Sequence, residues 1–202
     1  MTVYNDVQLL ENNLPAFLEQ NYEPGYEVIV VDESSTDDTP DMLKLFKARY
    51  PHLYSTFLPK PDIQVSRQRL ALTLGVKAAK KDWIIFTDIS RVPDNREWLN
   101  ELAQYASTPT QLILGYKRPK TDDLRLQLFD SVDEAGFIIG KTERKQAHGH
   151  RGKRMRYLRG KYDFIAVPTR RGHDALRHYE RNLHGWRLLG RRLHIALHNL
   201  FH

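Results

Sequence analysis

Two short, almost wholly apolar runs, each ending in acids, narrow the fold more than any other feature of this chain. Tyr26-Glu27-Val28-Ile29-Val30-Val31 leads into Asp32-Glu33, and Trp83-Ile84-Ile85-Phe86 leads through Thr87 to Asp88. Apolar, largely β-branched runs that do not alternate with polar residues are covered on both faces, which is the situation of strands in parallel sheets packed between helices. Between and around the runs the spacing is helical. Asp6 to Gln20 sets Leu9, Leu10, Leu14, Phe17 and Leu18 on one stripe that includes Pro15, and Asp41 to Arg49 follows a polar loop rich in helix-capping residues. Ser66 to Lys80 and Trp98 to Tyr105 are two more helices, and Leu53 to Leu58 and Thr110 to Tyr116 two more strands. This alternation predicts an α/β fold, an open and mostly parallel sheet flanked by helices, with ligands at the carboxyl ends of its strands. The acids at 32–38 and at 88 both fall there.

Charge divides the chain where the pattern changes. Residues 1–110 hold 11 Lys and Arg against 16 Asp and Glu, a net of −5, whereas 111–202 hold 20 against 9, a net of +11. The two parts meet different partners or different faces of one partner. We expect two halves within one structural domain, 1–116 with the acid-ended strands and a basic 117–202. In the second half Leu124 to Ile139 reads as a helix, Lys141 to Arg156 as a charged loop and Tyr162 to Val167 as a strand. Leu176, Tyr179, Leu183, Trp186, Leu189, Leu193, Leu197 and Leu200 then recur at helical spacing beside Arg177, Arg181, Arg187, Arg191 and Arg192. Such a face serves equally for packing on the sheet or lying on an anionic membrane surface. The absence of cysteine excludes disulfides, thiolate catalysis and Cys-ligated metal sites. No run reaches the ~18 apolar residues of a membrane span.

Carboxylates at the ends of adjacent strands, beside loops that open helices, can hold a nucleotide's base and ribose while a divalent metal takes its phosphates. The residues that carry this chemistry resemble a known pattern. Tyr4-Asn5 stands before a helix, Val30-Val31-Asp32-Glu33-Ser34-Ser35-Thr36-Asp37-Asp38-Thr39 follows a strand, Gly75 precedes Asp88 by thirteen residues, and Ile84 to Asp88 is followed by Pro93 and Trp98-Leu99. Over residues 2–115 the chain resembles the nucleotide-sugar half of family 2 glycosyltransferases with the GT-A fold, the nucleotide-diphospho-sugar transferase type. The segment from Ser66 to Gly75 is most similar to the short bacterial members found in Bacteroidetes.

The resemblance implies that Thr2 and Tyr4 line the nucleotide pocket, that Asp32 and Glu33 meet the base and ribose, and that Asp88 is the first acid of the DXD motif. It implies transfer of a sugar from a nucleoside diphosphate, UDP favoured, to a hydroxyl of a glycan or lipid-linked acceptor, with inversion at the anomeric carbon. Ser90 stands where the second acid of the motif is usual, so a Mg or Mn ion would rest on Asp88, Ser90 and the diphosphate. Leu72-Thr73 replace the family's Arg-Asn, and Arg69 or Arg67, further back along the same helix, would reach the phosphates instead. Asp174, eleven residues before Gly185-Trp186-Arg187, matches the spacing of the family's catalytic base, with Asp163 second; Asp174 equally suits the N-cap of a helix over 175–182. The resemblance further implies a buried strand ahead of Thr2, where only Met1 stands, and hence an in-frame apolar strand, with a membrane anchor, encoded upstream. The expected setting is the cytoplasm at the inner face of the membrane, in building cell-envelope polysaccharide.

Parts of the chain also fit other readings. Ser90, the replaced Arg-Asn and the loose match around Asp174 fit a non-catalytic relative that keeps the fold as a binding or assembly module. The +11 half with Tyr157, Tyr162 and Trp186 fits nucleic acid, but the acidic first half and the lack of a nucleic-acid motif argue against that partner. Ala135 to Thr142 matches a loose phosphate-loop spacing, yet Phe137-Ile138-Ile139 fills it with bulk, and a helix ending at Gly140 explains it better. His194, His198 and His202 share a helical face and His148 and His150 a loop; a polar face accounts for them better than a zinc site.

Overall fold

The short segment Thr2–Val3 (β1) pairs in parallel with Val28–Asp32 (β2), and β2 in turn pairs in parallel with the third strand of the sheet, Leu53–Phe57 (β3). Two helices, Val7–Leu18 (α1) and Thr39–Arg49 (α2), make the connections between these strands. This is a computed structural model, and it describes residues 1–58, 67–106, 112–117, 124–129, 131–132, 138–139 and 163–170. Residues 1–81 with 88–104 form one unit, and 82–87 with 105–202 form another.

The β2 run is continuous in sequence because both of its faces are covered. Val28 and Val30 join Val3, Leu10, Leu14, Phe17, Leu18, Leu43, Leu53 and Ile89 in one core. Val31, with Ile29 packed nearby, belongs to a second cluster with Leu58 and Ala71. Ala71 lies on the helix Arg67–Ala78 (α3), which packs on β2. Successive residues of a strand point to opposite faces, so a strand buried on both sides cannot afford the alternation of a half-exposed one. β3, at the sheet's edge, leaves Tyr54 and Phe57 exposed.

The second apolar run forms Trp83–Thr87 (β4), in the other unit. After the short helix Trp98–Ala103 (α4) come Leu112–Lys117 (β5), Leu124–Phe129 (β6), Ser131–Val132 (β7), Ile138–Ile139 (β8) and Phe164–Pro168 (β9). Four of these strands form a sheet of order β4-β9-β5-β6, and its pairings are antiparallel. Parallel pairing, among the described residues, is confined to β1, β2 and β3. The helix expected over Leu124 to Ile139 is not formed; β6, β7 and β8 occupy that stretch. Leu124, Leu126 and Leu128 alternate with Arg125 and Gln127, a period of two that outweighs the helical reading once β5 supplies the backbone partner.

Gly115 of β5 lies directly opposite Phe164 of β9, whose ring covers the space a side chain would take. A Cβ at 115 would fall inside van der Waals contact of Phe164 Cε1, Cζ and Cδ1, and Phe164 is buried. Gly115→Ala is therefore expected to cost about 2 kcal/mol by overpacking, read as a lower midpoint in denaturant titration; an unchanged midpoint would mean the ring is free to move aside.

Candidate functional site

The acids at the carboxyl end of β2 differ in how they are held. Asp32 is 4% exposed, and its Oδ1 accepts hydrogen bonds from the Ser35 backbone N–H at 2.9 Å and the Ser35 hydroxyl at 2.6 Å. Glu33 is half-buried, its backbone N–H donating to Val3 O at 2.9 Å and thereby continuing the β1–β2 ladder. Burial pushes the Glu33 carboxyl above its ordinary range, against the opposing pull of a hydrogen bond from Thr2 and of the Arg67 guanidinium, and with a further push from Asp32.

Arg67, at the start of α3, donates through Nη2 to the Glu33 carbonyl, and its Cζ lies 5.5 Å from the centre of the Tyr4 ring. Its Nε is buried without a hydrogen-bond partner among the described residues. Thr2, Tyr4, Asp32, Glu33 and Arg67 are thus brought together at the end of the parallel sheet. Tyr4 is 50% exposed there, an open aromatic face beside a guanidinium. Arg67 thus braces Tyr4 and the Glu33 backbone. Arg69 lies in α3, but its side chain is outside the described residues.

Asp88 follows β4 and is partly buried. Its Oδ1 accepts the Ser90 backbone N–H at 2.8 Å and the Ser90 hydroxyl at 2.6 Å, so Ser90 orients the Asp88 carboxylate. The next residue, Ile89, is anchored twice. Its side chain enters the core that holds Val3 and Val30, and its carbonyl accepts a 3.1 Å hydrogen bond from Asn13 Nδ2 on α1. Burial pushes the Met1 ammonium down to about 6, and the Asp88 carboxylate works against that fall, which sets Asp88 near the start of β1. Among the described residues no group of three or more His, Asp or Glu side chains is placed to hold a metal. A single carboxylate still suits a hard cation that keeps its waters and takes its remaining ligands from substrate phosphates. Asp163, at the head of β9, donates its N–H to Gly115 O at 2.8 Å and accepts at its carbonyl from the Thr87 hydroxyl at 3.1 Å. Asp174, the leucine stripe, the histidines and the 141–161 cations lie outside the described residues.

Sequence reasoning treated the 32–39 loop as a source of caps for the helix that follows it. The structure bears that out, since Asp37 Oδ1 accepts the Thr39 N–H at 3.0 Å at the start of α2, and it also turns the loop on the helix before it. Asp37 Oδ2 accepts the Val7 N–H at 3.3 Å and Thr39 Oγ1 the Asp6 N–H at 3.1 Å, so the first turn of α1 is capped from a loop some thirty residues away. The pattern also left Asn5 and Ser35 unassigned. Their signals were present: Asn is the side chain most tolerant of left-handed backbone, and Asn5 has φ 53°.

The acids of this loop pull stability in opposite directions with pH. Glu33 holds its proton more tightly folded than unfolded, so its contribution is complete below the ordinary carboxylate range and is lost as pH rises through the folded value. Asp37, despite the upward push of partial burial, is held low by hydrogen bonds from Thr39 and Val7. Its contribution is present at neutral pH and is lost as pH falls through the folded value. Glu33→Gln is expected to raise the melting temperature at neutral pH by roughly 2 °C, with the advantage vanishing in acid; melts across the acidic range check the sign.

A parallel sheet that ends in acids, with a helix on each face, is a common arrangement of α/β proteins, and the chain shares its GT-A fold with solved structures. The mannosyltransferase PcManGT from Pyrobaculum calidifontis, solved with GDP-Man and Mn2+, superposes with a TM-score of 0.56 at 19% identity over 88% of this chain and 44% of that one. S. aureus TarS 1-349 with UDP-GlcNAc gives 0.54 at 18% identity over 86% of this chain and 45% of that one. The family model for Glycosyl transferase family 2 matches residues 1–180, and the chain belongs to that family. It is 31% identical over 85 residues to the uncharacterized glycosyltransferase YfnE of Bacillus subtilis, 42% of this chain and 20% of that protein. It is 37% identical over 62 residues to the uncharacterized protein Rv1520 of Mycobacterium tuberculosis, 31% of this chain and 18% of that protein. The chain thus spans about a fifth of these relatives and under half of the solved chains. Among the described residues no helix is long and apolar enough to cross a membrane.

Proposed function

We propose that this protein binds a nucleoside diphosphate sugar at the carboxyl end of β1 and β2 and transfers the sugar, with inversion, to a hydroxyl of a glycan or lipid-linked acceptor. The observation that carries this reading is the cluster of Thr2, Tyr4, Asp32, Glu33 and Arg67, a buried and a half-buried acid beside an open aromatic ring and a guanidinium. Asp32 and Glu33 accept hydrogen bonds from the base and ribose, and the Tyr4 ring covers an apolar face of the nucleoside. UDP is the favoured carrier, in keeping with the family resemblance, and GDP is the nucleotide that accompanies one structural neighbour.

Asp88, oriented by Ser90, would hold a magnesium or manganese ion together with the diphosphate; such an ion, when bound, neutralises the charge that develops on the leaving group. Arg69 or Arg67 is assigned to the phosphates. The acceptor hydroxyl loses its proton to a carboxylate, for which Asp174 is the candidate and Asp163 the second choice. Work at the inner face of a bacterial membrane, on cell-envelope polysaccharide, suits a lipid-linked acceptor and the basic second half.

Titration calorimetry with UDP, GDP, ADP, CDP and dTDP, with and without manganese, tests the reading. Saturable binding of one nucleotide supports it, and no binding of any by the folded chain overturns it. The Ser90 hydroxyl turned on Asp88 in place of a second acid favours one further reading, a binding module without turnover. Nucleotide binding without donor turnover would establish that reading.

A further inference from the structure

We infer that Asn5 is a positioning residue for Asp32, an inference that rests on the nucleotide reading above. Asn5 sits in the left-handed region at φ 53°, just before α1, and touches the loop after β2 at two points. Its backbone N–H donates to Ser35 Oγ at 2.8 Å, and its Oδ1 accepts the Thr36 N–H at 2.8 Å and the Thr36 hydroxyl at 3.4 Å. Ser35 in turn gives both its N–H and its hydroxyl to Asp32 Oδ1.

A serine hydroxyl has one proton and can point it in several directions. With a lone pair of Ser35 Oγ occupied by the Asn5 N–H, the proton is directed at Asp32. The relay from Asn5 N–H through Ser35 O–H to Asp32 is a chain in which each bond polarises the next. Among the described residues the hydrogen bonds to Asp32 side-chain oxygens all fall on Oδ1, so the relay fixes the carboxylate's plane and turns Oδ2 to the ligand.

The backbone conformation is what aims the Asn5 N–H. Only Gly, and Asn or Asp among residues with a side chain, enter the left-handed region at small cost. Asn5→Gly therefore keeps the N–H aimed but releases Thr36, the clasp that holds the neighbouring Ser35 Oγ over that N–H, and so weakens the relay, whereas Asn5→Ala loses both the aim and the clasp.

The test is calorimetric titration of the full chain with the nucleoside diphosphate that the wild type binds best in the UDP, GDP, ADP, CDP and dTDP panel. Asn5→Gly is expected to weaken binding about fivefold, and Asn5→Ala and Ser35→Ala about 20-fold each. In a Ser35→Ala background the two Asn5 changes should each add less than about twofold, because the relay they act through is already broken. A residue that merely supported the fold would give additive losses. Thermal melts confirm that each variant folds, and if Asn5→Ala does not, Asn5→Gly with and without Ser35→Ala decides. Wild-type binding with Asn5 effects that are absent, or that add fully to Ser35→Ala, overturns the inference and leaves the nucleotide reading standing. No binding of any panel member by the wild type sinks both.

Discussion

Asp88→Asn is expected to reduce sugar transfer by about 100-fold or more, the usual effect of removing one preorganised electrostatic element from the transition state. The same change should leave the thermal transition nearly where it was. The amide keeps an oxygen to accept the Ser90 N–H and hydroxyl, so the turn over 88–90 survives, while Ile89 stays in the core and on Asn13 Nδ2. Only the charge is lost. If Asp88 holds the cation that balances the departing diphosphate, binding of the nucleotide falls less than turnover, since the charge matters most when the sugar bond breaks. Donor turnover and nucleotide affinity, measured side by side, decide the matter. Turnover within about threefold of the wild type would remove Asp88 from the chemistry.

Gln20→Glu carries the largest expected effect on stability. Gln20, 8% exposed just past the end of α1, has both polar atoms of its side chain engaged. Its Nε2 donates to Ala16 O and Asn95 O, both at 2.9 Å, and its Oε1 accepts the Leu99 N–H at 3.2 Å. It therefore ties α1 to the segment that leads from Asp88 into α4. A carboxylate at this position places a charged oxygen against two carbonyl oxygens and leaves both without their donor. Each such loss in a buried setting costs roughly 1–3 kcal/mol, so a drop of about 4 kcal/mol in unfolding free energy is expected. Protonation lets the introduced acid donate to one carbonyl, so the deficit should shrink in acid. Denaturant titrations at neutral and acidic pH check both halves, and a loss below about 1 kcal/mol would mean water replaces the amide.

How much of this was legible beforehand varies by element. Val28-Ile29-Val30-Val31 announced a strand covered on both faces, and the two cores that meet on β2 are the reason. The helices over 7–18, 39–49, 67–78 and 98–103 followed from apolar spacing. α2 begins at Thr39, two residues earlier than read, because Pro40 suits a first turn and the buried Thr39 side chain serves α1. The stretch from 124 to 139 was misread because short apolar runs fit either period, and a strand declares itself only through its partner.

The order of residues alone determined the class of fold and the acids that end its strands, since burial on two faces and helical periodicity are local properties of a chain. It also carried the family pattern around Asp32, Glu33 and Asp88. Tertiary structure decided the rest: that β4 pairs antiparallel with β9, that the loop after β2 caps α1, that Arg67 lies against Tyr4 and Glu33, and that Asn5 reaches Ser35. Each of these joins segments some thirty to eighty residues apart. Hydrogen bonds and charges over such separations depend on where the chain returns in space, which no local pattern of residues encodes.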